Sequence, residues 1–305
     1  MDTLPLEIHS QIFQLACIDA GSTARSLALV SRYVREVAEP FLYQSLAVAG
    51  LSSMTEFLNR LERVPAHLRR VRQLFLSDWT QKQVQQKTIP SDDADMDRYD
   101  LEKSIIIRIL DLVAPTLESF AFLVSCPFNS TQLIGHLFSL KSSHLRHLSI
   151  HGFYPFPHSL NALPHLEHLH LSGNRNPHGL LQTGGLEAAC PRLTHLRISG
   201  LVSAPSFAQE LEDALLPAPH DTTKSCFRAS LPSSVRQVAV QLGPAPAKSR
   251  RYSSAVAQHE KMTERLMGLS QCADSLPVRY RLMHDNEDVY ETMRNSWADG
   301  SNDVE

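Results

Sequence analysis

Three short segments of the sequence carry polar side chains at matching positions between leucines and isoleucines. Alignment on the apolar residues puts His147, His168 and His195 at one position. The next two positions on the same face hold six more polar residues: Ser149, His170 and Arg197, then His151, Ser172 and Ser199. Arginine and partly protonated histidine are charge-assisted donors, so this patch would suit an acidic or phosphorylated protein segment. The alternative is a solvated polar face without one dominant ligand.

The same histidines do not form a complete metal site in the sequence. A zinc site normally adds a carboxylate or fourth ligand and a second shell, which three histidines on parallel strands do not supply. The H-x-x-H pairs, His144/His147 and His165/His168, place their members on different parts of each segment. We therefore predict no metal site and no cofactor.

An acidic cluster lies upstream of these segments, and it consists of Asp92, Asp93, Asp95 and Asp97. It lacks the glycine and the terminal glutamate of a calcium-binding loop, so it indicates a solvated charge run. The chain also lacks the nucleophile-elbow, metalloprotease, phosphate-loop and dinucleotide-binding fingerprints. These features predict a binding protein rather than an enzyme.

Composition constrains the partners and the compartment. A formal net charge of -3, from 29 basic and 32 acidic side chains, favours neither nucleic acid nor an anionic membrane as a partner. Asp2 and Glu7 precede any apolar run that could serve as a signal peptide. The five cysteines have neither disulfide-like nor zinc-like spacing: Cys17, Cys126, Cys190, Cys226 and Cys272. We therefore expect a soluble protein of the cytoplasm or nucleus.

The histidine-bearing segments are copies of a repeated unit, apolar-x-x-apolar-x-apolar. The clear copies are Leu145/Leu148/Ile150, Leu166/Leu169/Leu171 and Leu193/Leu196/Ile198. Weaker copies are Tyr43/Leu46/Val48, Val71/Leu74/Leu76, Leu117/Phe120/Phe122 and Val235/Val238/Val240. Their spacings of 28, 46, 28, 21, 27 and 42 residues mostly fall in or near the range of about 20 to 29 residues that is typical of leucine-rich repeats. Each copy predicts a strand, and the segments between copies predict helices.

A glycine follows each clear copy at the same distance, at Gly152, Gly173 and Gly200. A residue without a Cβ allows a sharp turn out of a strand. A glycine at the same place in all three copies indicates a true repeat rather than a chance alternation of apolar residues. Two polar stretches, residues 80–100 and 204–232, account for the long spacings, and we predict that both are loops inserted between repeats.

The first fifty residues predict two amphipathic helices. In the first, an apolar stripe runs through Leu4, Ile8, Ile12 and Leu15, and in the second it runs through Leu27, Val30, Val34 and Val37. Two short helices cannot hide this much apolar surface between themselves. The stripes therefore indicate a partner surface, which is either another protein or the first repeats of this chain.

The same region resembles the F-box motif, through Leu4-Pro5-Leu6-Glu7-Ile8, Ile12-Phe13, the segment 27–32 and Phe41-Leu42-Tyr43. The whole chain looks like fungal F-box proteins with degenerate leucine-rich repeats, although Tyr33 stands near the place of a tryptophan in many members. The resemblance implies that the helices bind the Skp-type adaptor of a Skp-cullin-F-box ubiquitin ligase and that the repeats bind a target protein. It places nine residues at the adaptor contact: Leu4, Pro5, Ile8, Ile12, Phe13, Leu27, Leu29, Val30 and Val34.

The expected fold class is therefore α/β. We expect an F-box helical module over residues 1–45 and a leucine-rich-repeat-like solenoid over 46–247, with strands on the concave face and helices on the convex face. A C-terminal cap of helices and a degenerate strand would occupy residues 248–305. The alternative function is a leucine-rich-repeat scaffold that binds proteins without a ligase.

Overall fold

The computed structural model describes residues 4–86, 93–126, 129–155, 162–182, 184–216, 229–246, 253–283 and 289–298. The chain divides into two compact units. The first comprises Met1–Asn129, Ser142–Leu145 and Val289–Glu305, and the second comprises Ser130–Lys141 and Arg146–Asp288. None of the helices within the described ranges combines the length and apolar character that a membrane span requires.

The N-terminal region of the first unit contains three helices, where the sequence predicted two. They are α1 (Leu6–Ala16), α2 (Ser22–Leu27) and α3 (Arg32–Ala38). The predicted second helix is divided because Ser31 is extended, with φ of −161° and ψ of 167°, and its side chain accepts a hydrogen bond from the Val34 amide at 3.1 Å. A serine in this position begins a new helix. We call residues 6–41 the helical module.

Three parallel strands follow in the first unit, in chain order: β1 (Ser45–Ala49), β2 (Gln73–Ser77) and β3 (Ser119–Leu123). The helices between them are α4 (Leu51–Arg63), α5 (Gln81–Gln86) and α6 (Asp93–Val113). Leu74, Leu76, Phe120 and Phe122 alternate along β2 and β3 and are almost completely buried. The predicted alternation of parallel strands and helices is confirmed here.

Residues 80–100 are not the predicted loop, because α5 and the first turns of α6 lie in this stretch; residues 87–92 lie outside the described residues. A tertiary contact explains why this stretch is helical. Tyr99 turns inward and packs with Trp79 and Cys126, and this contact extends the helix through a polar sequence. A single inward aromatic residue in a polar run gives too weak a periodic signal to reveal the helix.

The second unit holds five parallel strands that pair in chain order: β4 (His147–His151), β5 (His168–Ser172), β6 (His195–Leu201), β7 (Gln237–Leu242) and β8 (Arg279–Met283). Its helices are α7 (Ser130–Ser139), α8 (Gly185–Ala189), α9 (Pro205–Leu215) and α10 (Ser253–Gln271). The second predicted loop, residues 204–232, is corrected as well. Phe207, Ala208 and Leu211 anchor α9 in the core, and residues 217–228 lie outside the described residues.

The last described helix, α11 (Val289–Ala298), belongs to the first unit rather than to a C-terminal cap. Its buried residues Tyr290, Met293 and Trp297 pack against Phe75 and Leu123 on β2 and β3. By contrast, α10 packs against α9 and β8 in the second unit. Phe75 and Leu123 occupy repeat positions that are polar in the clear copies, so their face of the sheet needs an apolar cover. The sequence analysis did not predict which segment of the chain supplies that cover.

Candidate functional sites on the helical module and the polar strand face

The helical module has its own small core. It consists of Phe13, Cys17, Ala24, Val34, Val37, Ala38 and Phe41, with Leu27 and Leu42 packed against it. Phe13, Val34 and Leu27 were predicted to contact an adaptor. The structure places them inside the module, where Phe13 is only 4% exposed and Val34 only 3%. Phe13 and Val34 therefore support the module's fold and do not form its outer surface, whereas Leu27 packs against the core and is partly buried.

The other predicted contact residues are exposed. Nine of the fourteen exposed large apolar side chains in the described part of the chain lie between Leu4 and Tyr33. We define the apolar surface as Leu4, Leu6, Ile8, Ile12, Leu15, Leu29 and Val30; Pro5 is exposed as well. Leu15 is 76% exposed and Leu29 is 81% exposed. Single exposed apolar residues are ordinary, but this concentration in one short region is typical of an interaction site.

A buried histidine connects α1, which carries part of this surface, to α3. His9 Nδ1 lies 3.0 Å from the Tyr33 hydroxyl, and the two rings meet edge to face at 5.6 Å. The contact joins α1 to α3 and so helps to hold Ile8 and Ile12 outward. The sequence analysis did not identify His9, because it lies outside the apolar stripe. Its position beside Ile8 was the only indication in the sequence that it lies near this surface.

In the second unit, the structure brings the nine predicted polar residues together in three rows. His147 pairs with His168 and His168 with His195. The next two rows are Ser149, His170 and Arg197, and then His151, Ser172 and Ser199. We call this set the polar face. Its serines are buried and its histidines are half-buried, so the face is less open to solvent than an ordinary polar sheet surface.

Two histidines of the polar face, His151 and His170, are neutral near neutral pH. This differs from the expectation of partly protonated donors. Burial lowers the pKa of His151 to about 4. Burial, with help from the Arg197 charge, lowers the pKa of His170 well below its ordinary value. His151 Nδ1 lies 2.9 Å from the Ser172 hydroxyl, and His170 Nε2 lies 2.5 Å from the Ser199 hydroxyl. These two imidazoles therefore offer hydrogen bonds without charge.

Arg197 supplies the charge of the polar face. Its Nη2 donates to the Gln241 side-chain oxygen at 2.9 Å, so this partner is a neutral amide. Its Nε is buried and has no hydrogen-bond partner among the described residues. Burial also lowers the pKa of the guanidinium, although arginine stays protonated at any physiological pH. A desolvated cation bonded to an amide favours an acidic group as ligand.

The first row of the polar face contains a cluster that sequence reasoning missed. The ring centroids of His147 and His168 are 4.6 Å apart, and His168 stacks on His195 at 4.2 Å. Glu167 joins the first two histidines, and ligand atoms of His147, Glu167 and His168 all lie within 4.8 Å of one another. The argument against a metal therefore fails here, since it assumed that no carboxylate was present. The available signal was Glu167 immediately before His168.

Within each unit, parallel strands in chain order alternate with helices, an arrangement compatible with a solenoid-like α/β protein. Comparison of the chain with protein-family models, with curated proteins and with solved structures finds no match.

The neutral histidines predict that the second unit loses stability in acid. The folded pKa of His151 lies below the unfolded value of about 6.5, so the unfolded chain binds protons that the folded chain does not. The contribution of this group is complete above pH about 6.5 and is lost as the pH falls toward 4. Between pH about 7 and 5, we expect His151→Gln to remove about 1 kcal/mol of the acid-induced loss measured by urea unfolding.

A control variant and a second titrating group bear on this pH measurement. His144→Gln, which removes an exposed histidine, should leave the pH dependence of unfolding as in the original chain. Asp78 in the first unit acts with the opposite sign, because burial raises its pKa to about 7 and its protonated form therefore favours folding in acid. If His151→Gln leaves the acid-induced loss of stability unchanged, the imidazole of His151 is not held neutral in the folded protein.

Proposed function

We propose that this protein is a substrate-recognition adaptor of a Skp-cullin-F-box ubiquitin ligase. In this proposal the helical module binds the Skp-type adaptor and the strand repeats bind the target protein. The observation that carries the proposal is the apolar surface of a module whose own core is already filled. Leu15 and Leu29 have no role in that core, yet they are the kind of side chain that a partner's groove would bury.

Docking of these side chains would supply a substantial free energy. Burying one aliphatic side chain contributes about 1.5 to 3 kcal/mol, and Ile8 and Ile12 are exposed on one side of α1. An amphipathic helix that inserts such anchors at i and i+4 into an apolar groove is a recurrent recognition mode. Several anchors of this kind offset the entropy lost on association.

For the target protein, we propose that the polar face binds an acidic or phosphorylated segment. Arg197 would provide the charge, because its Nη2 is bonded to the neutral Gln241 side chain rather than to a carboxylate. His151 and His170 would provide neutral hydrogen bonds, which add specificity rather than charge. The ligase role does not depend on this assignment, since the helical module and the polar face are separate sites.

The decisive experiment is co-purification of the intact protein with a Skp-type adaptor, followed by measurement of the dissociation constant. We expect the double variant Ile12→Asp and Leu29→Asp to bind at least about 100-fold more weakly, because each new carboxylate would be buried without a partner at the interface. Both side chains are exposed in the free protein, so the thermal unfolding midpoint should remain unchanged.

Met267→Asp is the matched control, because Met267 is 51% exposed and lies on α10 in the second unit. It should leave adaptor binding intact. Phe13→Asp is unsuitable as a binding variant, since it would place a charge in the module's core. Failure of the intact protein to bind any Skp-type adaptor would contradict the proposal and leave the scaffold function.

A further inference from the structure

We propose that His147, Glu167 and His168 bind a zinc ion at the beginning of strands β4 and β5. The inference is independent of the ligase role, because it concerns a metal site within the second unit. Its basis is that a ligand atom from each residue lies within 4.8 Å of the other two. His147 and His168 are register partners on adjacent strands, and Glu167 directly precedes β5.

The chemistry of these donors matches zinc. Two imidazoles and one carboxylate form a ligand set that Zn²⁺ uses, with metal–ligand distances of about 2.0 to 2.2 Å. Such distances place the ligand atoms about 3.3 Å apart in a tetrahedral site. In the structure these atoms lie within 4.8 Å of one another, and rotation of the half-buried side chains that moves each ligand atom by about an ångström would bring them to the tetrahedral separation. Three protein ligands leave a fourth position for water or for an acidic group of a bound protein.

The backbone that carries these ligands is firmly held. The amides of Thr194 and His195 donate to the Glu167 carbonyl at 2.9 and 3.0 Å, and the Thr194 hydroxyl donates to the same oxygen at 2.9 Å. The parallel pairing of β4 with β5 fixes the separation of His147 and His168. Rigid strand positions of this kind give a metal site better geometry than loop positions do.

Two neighbours distinguish this site from a general histidine-rich surface. His195 stacks on His168 with nearly parallel rings, which orients the ligand without adding His195 to the set. Arg146 Nη1 lies 3.8 Å from Glu167 Oε1, so this guanidinium competes with the metal for the carboxylate. Removal of Arg146 should therefore tighten zinc binding, whereas a purely structural role of the cluster predicts no such gain.

The test is a titration of the full chain with Zn²⁺ against a competing chelator dye. We expect one zinc ion per chain with a micromolar dissociation constant. The double variant His147→Ala and His168→Ala should bind at least about 100-fold more weakly, and Glu167→Gln about 10-fold more weakly. Arg146→Gln should bind several-fold more tightly. Mg²⁺ should not bind, because it prefers oxygen ligands.

The matched control is the double variant His144→Ala and His165→Ala, which removes the exposed members of both H-x-x-H pairs. It should bind zinc as the original chain does. Zn²⁺ should also raise the unfolding temperature of the original chain but not that of the His147/His168 variant. Glu167→Gln preserves the size of the side chain and so covers the case in which the alanine variants fold poorly. Zinc binding that survives the His147/His168 change, or no binding tighter than about 0.1 mM, would overturn the proposal.

Discussion

Replacement of Trp297 by alanine is expected to lower the free energy of unfolding by about 3 to 5 kcal/mol. Trp297 is 8% exposed and its ring lies 6.0 Å from that of Phe75, which also meets Tyr290 edge to face at 5.4 Å. The truncation would leave a cavity over β2 and β3 beneath α11. Urea unfolding of the two proteins measures the difference.

Two further variants separate packing from other causes. Trp297→Phe should be much less harmful, because the indole Nε1 is buried without a hydrogen-bond partner among the described residues, so its removal gives up no bond. Arg294→Ala changes an exposed residue of the same helix and should cost less than about 0.5 kcal/mol. A loss below about 1 kcal/mol for Trp297→Ala would contradict the packing of α11 on this sheet face.

The position of α11 also bears on which strands carry the proposed target-binding site. It covers the face of β2 and β3 that carries Phe75 and Leu123, and these residues occupy the same repeat positions as polar residues in the second unit. An apolar face under a helix is unsuited to a polar ligand. The proposed target site is therefore assigned to β4, β5 and β6, where the polar face carries Arg197.

Replacement of Gly173 by alanine is expected to cost about 3 kcal/mol or more, for two additive reasons. Gly173 has a φ of +90°, where a side chain adds about 1 to 2 kcal/mol of backbone strain. A Cβ there would also lie 2.6 Å from the Gly152 amide nitrogen, and backbone atoms held in a turn cannot move aside cheaply. Urea unfolding again measures the loss.

A glycine series separates the two causes. Gly184 also has a positive φ, of +66°, but nothing lies within 4 Å of a Cβ built there, so Gly184→Ala should show the strain alone. Gly268 lies within α10 with open space around it, and Gly268→Ala should stabilise the protein by about 0.5 to 1 kcal/mol. If Gly173→Ala costs no more than Gly184→Ala, the close approach to Gly152 does not constrain the turn.

Local pattern was sufficient to predict the strands of this protein, their parallel order within each unit and the alignment of the polar rows. Successive side chains of a strand point to opposite faces of the sheet, so Leu148 and Ile150 reveal which way His147 and Ser149 face. The glycine after each clear copy was also readable, because a sharp turn places its requirement on one residue. The N-terminal apolar stripe is a short-range signal of the same kind.

Tertiary structure alone decided the features that depend on distant neighbours. Phe13 and Ile12 are adjacent in a motif, yet one fills the helical module's core and the other is exposed, because α2 and α3 cover only one side of α1. Tyr99 makes a helix of a polar stretch by packing on Trp79, and α11 packs on strands more than 160 residues earlier in the chain. Burial makes His151 neutral, and strand pairing brings Glu167 to His147. Solvation and proximity are properties of the folded chain, so no short window of residues contains them.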